Sequence, residues 1–209
     1  MIKDIKFVKL VVFVNAAVPL VMLGWDAWRH NLGANPIEFA TRTTGALTLV
    51  FILLCLAVTP LRKSLAQPWM IKLRRMLGLY AFFYGCLHLL TYVWFDKFFD
   101  VRAVVGDILK RPFITVGMLS FVLLVPLAGT STNAMVKRMG GKRWNRLHKA
   151  IYVAAAGGVI HYYALVKADR REPILFGVAL SLLLAYRLVE KYAPQLVSRT
   201  PARAHTADR

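Results

Sequence analysis

Long apolar runs alternate with short polar and charged segments along this chain of 209 residues. Six of these runs contain about 16 to 20 residues each. This length equals, or falls just below, what an α-helix needs to cross the hydrocarbon core of a bilayer. The runs span residues 7–24, 44–59, 76–95, 113–129, 148–166 and 173–189. The pattern therefore predicts an all-α integral membrane bundle of six transmembrane helices.

The composition combines a membrane-like hydropathy with a strong basic excess. Hydrophobic residues make up 58% of the chain, the mean hydropathy is +0.53, and the formal net charge is +18. One side of the predicted bundle, which includes both termini, carries 19 Lys and Arg with 3 acidic residues, whereas the other carries 9 with 7. This asymmetry follows the positive-inside rule and predicts that both termini are cytoplasmic. We therefore expect the basic residues to mark topology against a lipid bilayer and not to bind nucleic acid.

The segment 193–209 differs from the rest of the chain because it has no apolar periodicity and contains Pro194 and Pro201. Such a segment buries too little apolar surface to offset the entropy lost on ordering. We therefore expect a mobile cytoplasmic tail after residue 192.

Carboxylates and nucleotide-binding motifs are missing where several classes of membrane protein need them. No Asp or Glu lies between Glu38 and Asp96 or between Asp107 and Asp169, so the second to fifth predicted helices contain no carboxylate. A carboxylate-bridged di-iron site and a proton-coupled transporter are thereby disfavoured. The chain also lacks a P-loop and a glycine-rich dinucleotide fingerprint. Redox equivalents would have to arrive from another protein or from a lipid-soluble carrier.

Two histidines are predicted to lie at one depth in neighbouring helices. Arg75 and His88 are 13 residues apart, as are His148 and His161, and this spacing corresponds to about 20 Å of helix. If both helices begin at the same membrane face, His88 and His161 are level. They could hold one metal or heme iron between them, although a lone histidine in a span can also serve helix packing. Heme is favoured over a bare metal because a porphyrin supplies four ligands of its own.

Small residues precede both histidines at helical spacings, namely Gly78, Ala81 and Gly85 in one helix and residues 154–158 in the other. Such residues allow close helix packing in membranes. They would also leave room for a flat macrocycle against the backbone. The sequence does not distinguish these two uses.

His148 lies at the predicted inner boundary, between Arg146 and Lys149. A contact with lipid headgroups explains a histidine there as well as metal ligation does. Its role as the ligand of a second heme, or as an auxiliary ligand, is therefore left open.

The residues around the three histidines carry a family resemblance. They are Arg74–Leu79 with Leu87, His88 and Tyr92, then Gly141–Lys149 with Tyr152, then His161, Tyr162 and Lys167, together with the Thr130-Ser131-Thr132 turn. These segments resemble the MsrQ (YedZ) family, whose members are heme-binding membrane subunits of bacterial methionine sulfoxide reductase systems within the ferric reductase-like transmembrane superfamily. The resemblance covers essentially the whole chain and predicts one ferric reductase-like transmembrane heme domain over residues 1–192.

That resemblance implies an electron-transfer subunit without catalytic residues of its own. Electrons from the quinone pool or a cytosolic flavin reductase would cross the bacterial inner membrane to a separate periplasmic molybdenum-containing reductase, which repairs oxidised envelope proteins. Heme b would take His88 and His161 as axial ligands, and some members carry FMN as well. The wider superfamily holds two hemes with four histidines, whereas the position that matches His148 is Arg75. A second heme would therefore need a non-histidine or distant ligand.

Two other functional classes stay compatible with these residues. A stand-alone cytochrome b that oxidises quinol or reduces ferric iron would use the same heme. A non-redox channel, transporter or assembly protein would use none. Helical bundles host all of these functions, so the fold does not separate them.

Overall fold

α-Helices dominate residues 5–193, the part of the chain that the computed structural model describes. They are α1 Ile5–Trp28, α2 Pro36–Ser64, α3 Arg74–Thr91, α4 Val101–Lys110, α5 Pro112–Gly129, α6 Asn133–Met139, α7 Gly141–His148, α8 Ala150–Leu165 and α9 Arg171–Tyr192. A 3-10 helix, Pro68–Leu73, leads into α3, and a π-helical turn, Tyr92–Asp96, continues it. No strand occurs among the described residues, which confirms the all-α class. Apart from Ala193, the predicted tail lies outside them.

Five segments of the described chain are long and apolar enough to cross a membrane. They are α1, α2, Pro68–Asp96 with α3 inside it, α5 and α9. Helix α8 covers most of the fifth predicted run but has 16 residues, so its length of about 24 Å falls short of a hydrocarbon core of about 30 Å. The integral membrane bundle is confirmed, whereas the six-span count and the cytoplasmic termini stay predictions. His148, predicted to begin that fifth run, is instead the last residue of α7.

A local capping signal fixes where α2 begins. The Asn35 side chain accepts a hydrogen bond from the Glu38 amide at 3.1 Å, which satisfies one of the free donors at the helix start. Pro36 occupies the first helical position, where no amide hydrogen is needed. This start places Thr41 little more than one turn into α2.

The centre of the bundle is the contact between α2 and α3, where Leu56, Ala81 and Tyr84 are fully buried. The Tyr84 ring stacks on Phe51 with centroids 5.3 Å apart. Its hydroxyl donates to the Ala16 carbonyl in α1 at 2.7 Å. A buried hydroxyl without a partner costs about 1–3 kcal/mol, so this hydrogen bond favours the position of α1 against α3.

The helices run up and down, and the two ends of the bundle differ in character. The paired-histidine end contains the first residues of α2, α5 and α9 and the last residues of α1, α3 and α8, together with α4. The His148 end contains α6, α7 and the opposite termini of the long helices. Within residues 5–193, all acidic residues except Glu190 lie at the paired-histidine end, whereas basic residues dominate the His148 end.

Candidate functional site

The fold brings His88 and His161 side by side. His88 lies in the last turn of α3 and His161 near the end of α8, and their ring centroids are 6.1 Å apart at an interplanar angle of 74°. Metal–imidazole bonds are about 2 Å long and a ring nitrogen lies about 1 Å from the ring centre, so two imidazoles on opposite sides of one iron have centroids about 6 Å apart. The observed separation suits a bis-histidine site.

Each of these imidazoles is oriented by a backbone carbonyl of a neighbouring helix. His88 Nδ1 lies 2.8 Å from the Thr41 carbonyl oxygen in α2, and His161 Nδ1 lies 2.6 Å from the Phe113 carbonyl oxygen in α5. A carbonyl oxygen only accepts, so both Nδ1 atoms carry a proton and donate it. In the neutral ring the lone pair is then on Nε2. Orienting groups impose this tautomer on metal-bound histidines.

A glycine packs against each imidazole, one helical turn beyond the carbonyl that holds it. Both glycines follow the carbonyl residue by four positions, which places carbonyl and glycine on the same helix face. A Cβ atom at Gly45 would lie 3.0 Å from the His88 ring, and one at Gly117 would lie 2.7 Å from His161 Nδ1. Any side chain at Gly117 would therefore displace the His161 imidazole, and one at Gly45 would press on His88.

Neither Gly45 nor Gly117 is among the small residues that the sequence predicts to make room for a cofactor. Of the predicted ones, Gly85, Ala154 and Gly158 line the cavity beside the histidines, whereas Gly78 packs within the contact between α2 and α3. The two missed glycines lie on the helices that neighbour each histidine. Periodicity within a single helix does not show which residues of another helix face it.

A cavity of about 520 Å³ opens beside the two imidazoles, a size within the usual range of cofactor sites. Its apolar lining includes Leu49, Ile52, Phe121 and Leu124, and its polar lining includes Glu38, Arg42, Tyr92, Asp96, Arg111 and Tyr162. The polar residues come from the paired-histidine end of the bundle. An apolar slot with a charged rim suits a ligand that is apolar along most of its length and anionic at one edge.

Carboxylates hold the two arginines of this rim. Arg42 Nη2 lies 2.6 Å from Glu38 Oε1, and Arg111 Nε lies 3.4 Å from Asp107 Oδ1. Both arginine side chains are 53% exposed. Because a guanidinium carries five N–H donors, each retains donors for an anionic ligand.

His148 lies at the opposite end of the bundle and has different partners. Its Nε2 is 3.0 Å from Thr130 Oγ1, and its ring stacks on Trp144 with centroids 3.7 Å apart. The Thr130 hydroxyl donates its single hydrogen to the Pro126 carbonyl at 2.6 Å. The His148 Nε2–H must therefore be the donor to Thr130. His148 thus has the opposite tautomer from the histidine pair, with its lone pair on Nδ1.

The guanidinium groups of Arg74 and Arg75 lie close enough to His148 for their charges to act on its imidazole. Burial lowers the pKa of His148, and the charges of Arg74 and Arg75 lower it further. Arg75, which the residue count matches with His148, donates to Asn133 Oδ1 at 2.6 Å. The His148 ring is therefore neutral at pH 7 and lies beside fixed positive charge.

A bare metal ion finds no full set of ligands in the described chain. Among residues 5–193, no group of three or more His, Cys, Asp or Glu side chains is placed to hold one. Cys55 is buried, Cys86 is half-buried, and both are free thiols. The two-histidine site suits a cofactor that brings further ligands of its own.

Known proteins that are similar to this chain are membrane subunits named for heme binding. Residues 42–159 match the family model described as ferric reductase like transmembrane component. A protein of Herminiimonas arsenicoxydans is 50% identical over 98% of this chain and 94% of that protein. One of Rhodospirillum rubrum is 50% identical over 93% of each chain, and one of Azospira oryzae is 48% identical over 90% of this chain and 82% of that protein. All three are called protein-methionine-sulfoxide reductase heme-binding subunit MsrQ.

Proposed function

Because this chain belongs to the MsrQ family of ferric reductase-like transmembrane components and is a multi-pass bacterial membrane protein, we propose that it transfers electrons through a heme b. His88 and His161 are the axial ligands in this proposal. The electron acceptor is a separate methionine sulfoxide reductase subunit, so no sulfoxide chemistry takes place on this chain. The observation that carries the proposal is the pair of Nδ1–carbonyl hydrogen bonds, which leave both Nε2 lone pairs for iron at a suitable ring separation.

The residues of the cavity suit a heme beyond its two axial ligands. Apolar side chains line the slot, and Gly158 lies along it beside the histidines. Arg42 and Arg111 at the rim would pair with the propionate carboxylates through charge-assisted hydrogen bonds. When bound, the heme supplies an iron that accepts and releases one electron at a time.

The protein's own contribution is to orient the ligands and to control polarity around them. The Thr41 and Phe113 carbonyls prevent rotation of the imidazoles and raise the basicity of Nε2. The apolar lining, with Leu49 and Phe121, keeps water from the slot. Ligand basicity and solvent exclusion are two of the means by which a protein sets a heme potential.

The donor, the acceptor and the direction of transfer form the finer part of the proposal. Electrons enter from the quinone pool or a cytosolic flavin reductase, with FMN as an additional cofactor. They leave to a periplasmic molybdenum-dependent reductase that repairs oxidised envelope proteins. The basic His148 end faces the cytoplasm with both termini, as the positive-inside rule requires. The paired-histidine end then faces the periplasm and the acceptor.

His148 is retained in the proposal as the site of a second heme or as an auxiliary ligand. Its Nε2–H is bonded to Thr130, so ligation requires either that this bond breaks or that Nδ1 serves as the ligand. Arg75, held by Asn133, stands where the opposite histidine of a two-heme protein would be.

The test uses the full-length protein purified in detergent with its natural cofactor content. An optical spectrum and heme quantification establish the cofactor. The dithionite-reduced protein is then mixed rapidly with the oxidised catalytic subunit of the reductase. We expect a b-type Soret band and prompt reoxidation of the heme by that subunit.

A colourless protein would contradict heme binding. A reduced heme that transfers no electrons to the subunit but is oxidised by quinone or a ferric chelate would instead favour a stand-alone cytochrome b.

A further inference from the structure

A second concave site lies at the other end of the bundle, far from the histidine pair. It is a groove of about 430 Å³ between α1, the 3-10 helix and α3. Its lining consists of three cationic side chains, Lys9, Lys72 and Arg75, and three apolar ones, Ile71, Met76 and Leu79. The groove therefore joins a basic surface to an apolar one at the boundary where the 3-10 helix enters the bundle.

Within residues 5–193, no carboxylate neutralises the positive charge of the groove. No acidic residue lines it, and neither Lys9 nor Lys72 forms an ion pair with another residue of the described range 5–193. Arg75 is fixed by its 2.6 Å hydrogen bond to Asn133 Oδ1, so its guanidinium is held in place without losing charge. Three cations that converge on one groove favour a bound anion.

The apolar half of the groove indicates what kind of anion fits. Ile71 and Leu79 are each 40% exposed, so the groove opens sideways toward lipid and not only toward water. A phospholipid has this combination of an anionic headgroup and an acyl chain. Basic pockets beside membrane helices bind such headgroups. No aromatic side chain lines the groove within the described chain, so it offers no surface on which a flat ring could stack.

We propose that this groove binds an anionic phospholipid, with the phosphate held by Lys9, Lys72 and Arg75 and the first part of an acyl chain lying against Met76 and Leu79. The site is separate from the proposed heme site at His88 and His161 and does not depend on it. A bound lipid at this position bridges α1 and α3, because Lys9 belongs to one helix and Arg75 to the other.

The experiment measures lipid retention by native mass spectrometry of the full-length protein. The protein is titrated with phosphatidylglycerol, phosphatidylcholine or flavin mononucleotide as three separate probes. Each lysine near a membrane surface strengthens binding of an anionic lipid by about fivefold. We therefore expect Lys9→Gln with Lys72→Gln to weaken phosphatidylglycerol binding by about 30-fold, and to leave phosphatidylcholine binding and heme content unchanged.

A matched double variant provides the control. Lys137→Gln with Lys142→Gln removes two exposed lysines from the same end of the bundle but outside the groove, and we expect wild-type retention of phosphatidylglycerol. Equal loss in both double variants would overturn the proposal, since the charge effect would then be diffuse. An absence of preference for phosphatidylglycerol over phosphatidylcholine would overturn it as well. Binding of flavin mononucleotide that depends on Lys9 and Lys72, without a lipid preference, would assign the groove to a nucleotide phosphate instead.

Discussion

The two ends of the bundle use the same residue type in opposite ways. At the paired-histidine end, His88 and His161 donate from Nδ1 to backbone carbonyls, which leaves Nε2 for a ligand. At the other end, His148 donates from Nε2 to Thr130 and stacks on Trp144. The hydrogen-bond partner of one ring nitrogen therefore determines which nitrogen of each histidine is left to accept a ligand.

The two ends of the bundle also differ in the charged residues that surround their histidines. Carboxylates pair with the cations of the cavity rim, as in Arg42 with Glu38 and Arg111 with Asp107. The His148 end has an excess of cations, with Arg74 and Arg75 near the imidazole. Arg42 and Arg111 keep N–H donors beyond these ion pairs, so the cavity rim can still bind the anionic edge of a ligand.

The largest effect is expected from removal of one histidine of the pair. We expect His88→Ala or His161→Ala to weaken heme binding by about 100-fold or more, because loss of a group that merely orients a ligand already costs a metal site about 10- to 100-fold. His148→Ala is the matched control and should retain the heme of the pair. Heme quantification by the pyridine hemochrome assay measures both. Complete heme loss in His148→Ala would reverse the assignment of the two ends.

A single methyl group added at Gly117 or Gly45 tests how tightly each imidazole is held. Gly117→Ala should weaken heme binding by about 10- to 100-fold, since the new Cβ would displace His161. Gly45→Ala should have a smaller effect in the same direction because its Cβ would lie slightly farther from the ring. Gly24→Ala is the control, since a Cβ there meets nothing within 4 Å. Normal heme affinity in Gly117→Ala would show that the imidazole is free to move.

Thr130→Val tests the hydrogen bond that distinguishes His148. The substitution preserves shape and removes the hydroxyl, so we expect a loss of about 1 kcal/mol in the free energy of unfolding, with unchanged heme content at the histidine pair. Thermal unfolding of the purified protein provides the measurement. A new heme component in the optical spectrum of this variant would mean that Thr130 had kept His148 from binding iron.

The smallest expected effect concerns the ion pair of Asp107 and its dependence on pH. A hydrogen bond from Lys97 holds the pKa of Asp107 below its ordinary value, with a further bond from Tyr92. A carboxylate with a lowered pKa stabilises the fold above its unfolded pKa of about 4, and this stability is lost as pH falls through the folded pKa.

Asp107→Asn should therefore lower the free energy of unfolding by about 0.5 kcal/mol at pH 7, a small value because the pair is partly exposed. The difference from wild type should shrink as the pH falls below about 4 and vanish once the pH is below the folded pKa of Asp107. Asp169→Asn serves as the control, since that side chain is 73% exposed and its nearest cation lies 3.8 Å away. Chemical denaturation at both pH values checks the sign. A difference that grows in acid would show that the charge of Asp107 opposes folding.

The apolar runs identify the long helices well because lipid demands an apolar surface on every side of an exposed span. Residue counts also predict that His88 and His161 are level, and their rings lie 6.1 Å apart, although the count from His148 crosses the boundary between α7 and α8. The short helices α4, α6 and α7 have no apolar run of sufficient length, so a search for spans treats them as loops. That is why His148 was expected at the start of a span and is found at the end of α7.

Residue counts along a helix do not predict the contacts that orient the two histidines. The Thr41 carbonyl and Gly45 face His88 only because of how α2 is rotated about its axis, and the same holds for Phe113 and Gly117 on α5. Rotation is set by packing between helices, where Tyr84 and Phe51 lie. A hydropathy pattern in a lipid-exposed bundle contains little information about it, since both lipid-facing and core-facing positions are apolar.

The repeated spacing of carbonyl and glycine divides the site into two halves that are made at different times. Helices α2 and α3 deliver His88 with its complete support by residue 91, whereas α5 and α8 deliver His161 only after residue 161 has been synthesised. Each imidazole is therefore oriented by its own pair of helices, and the support of His88 is complete in the chain before that of His161 exists.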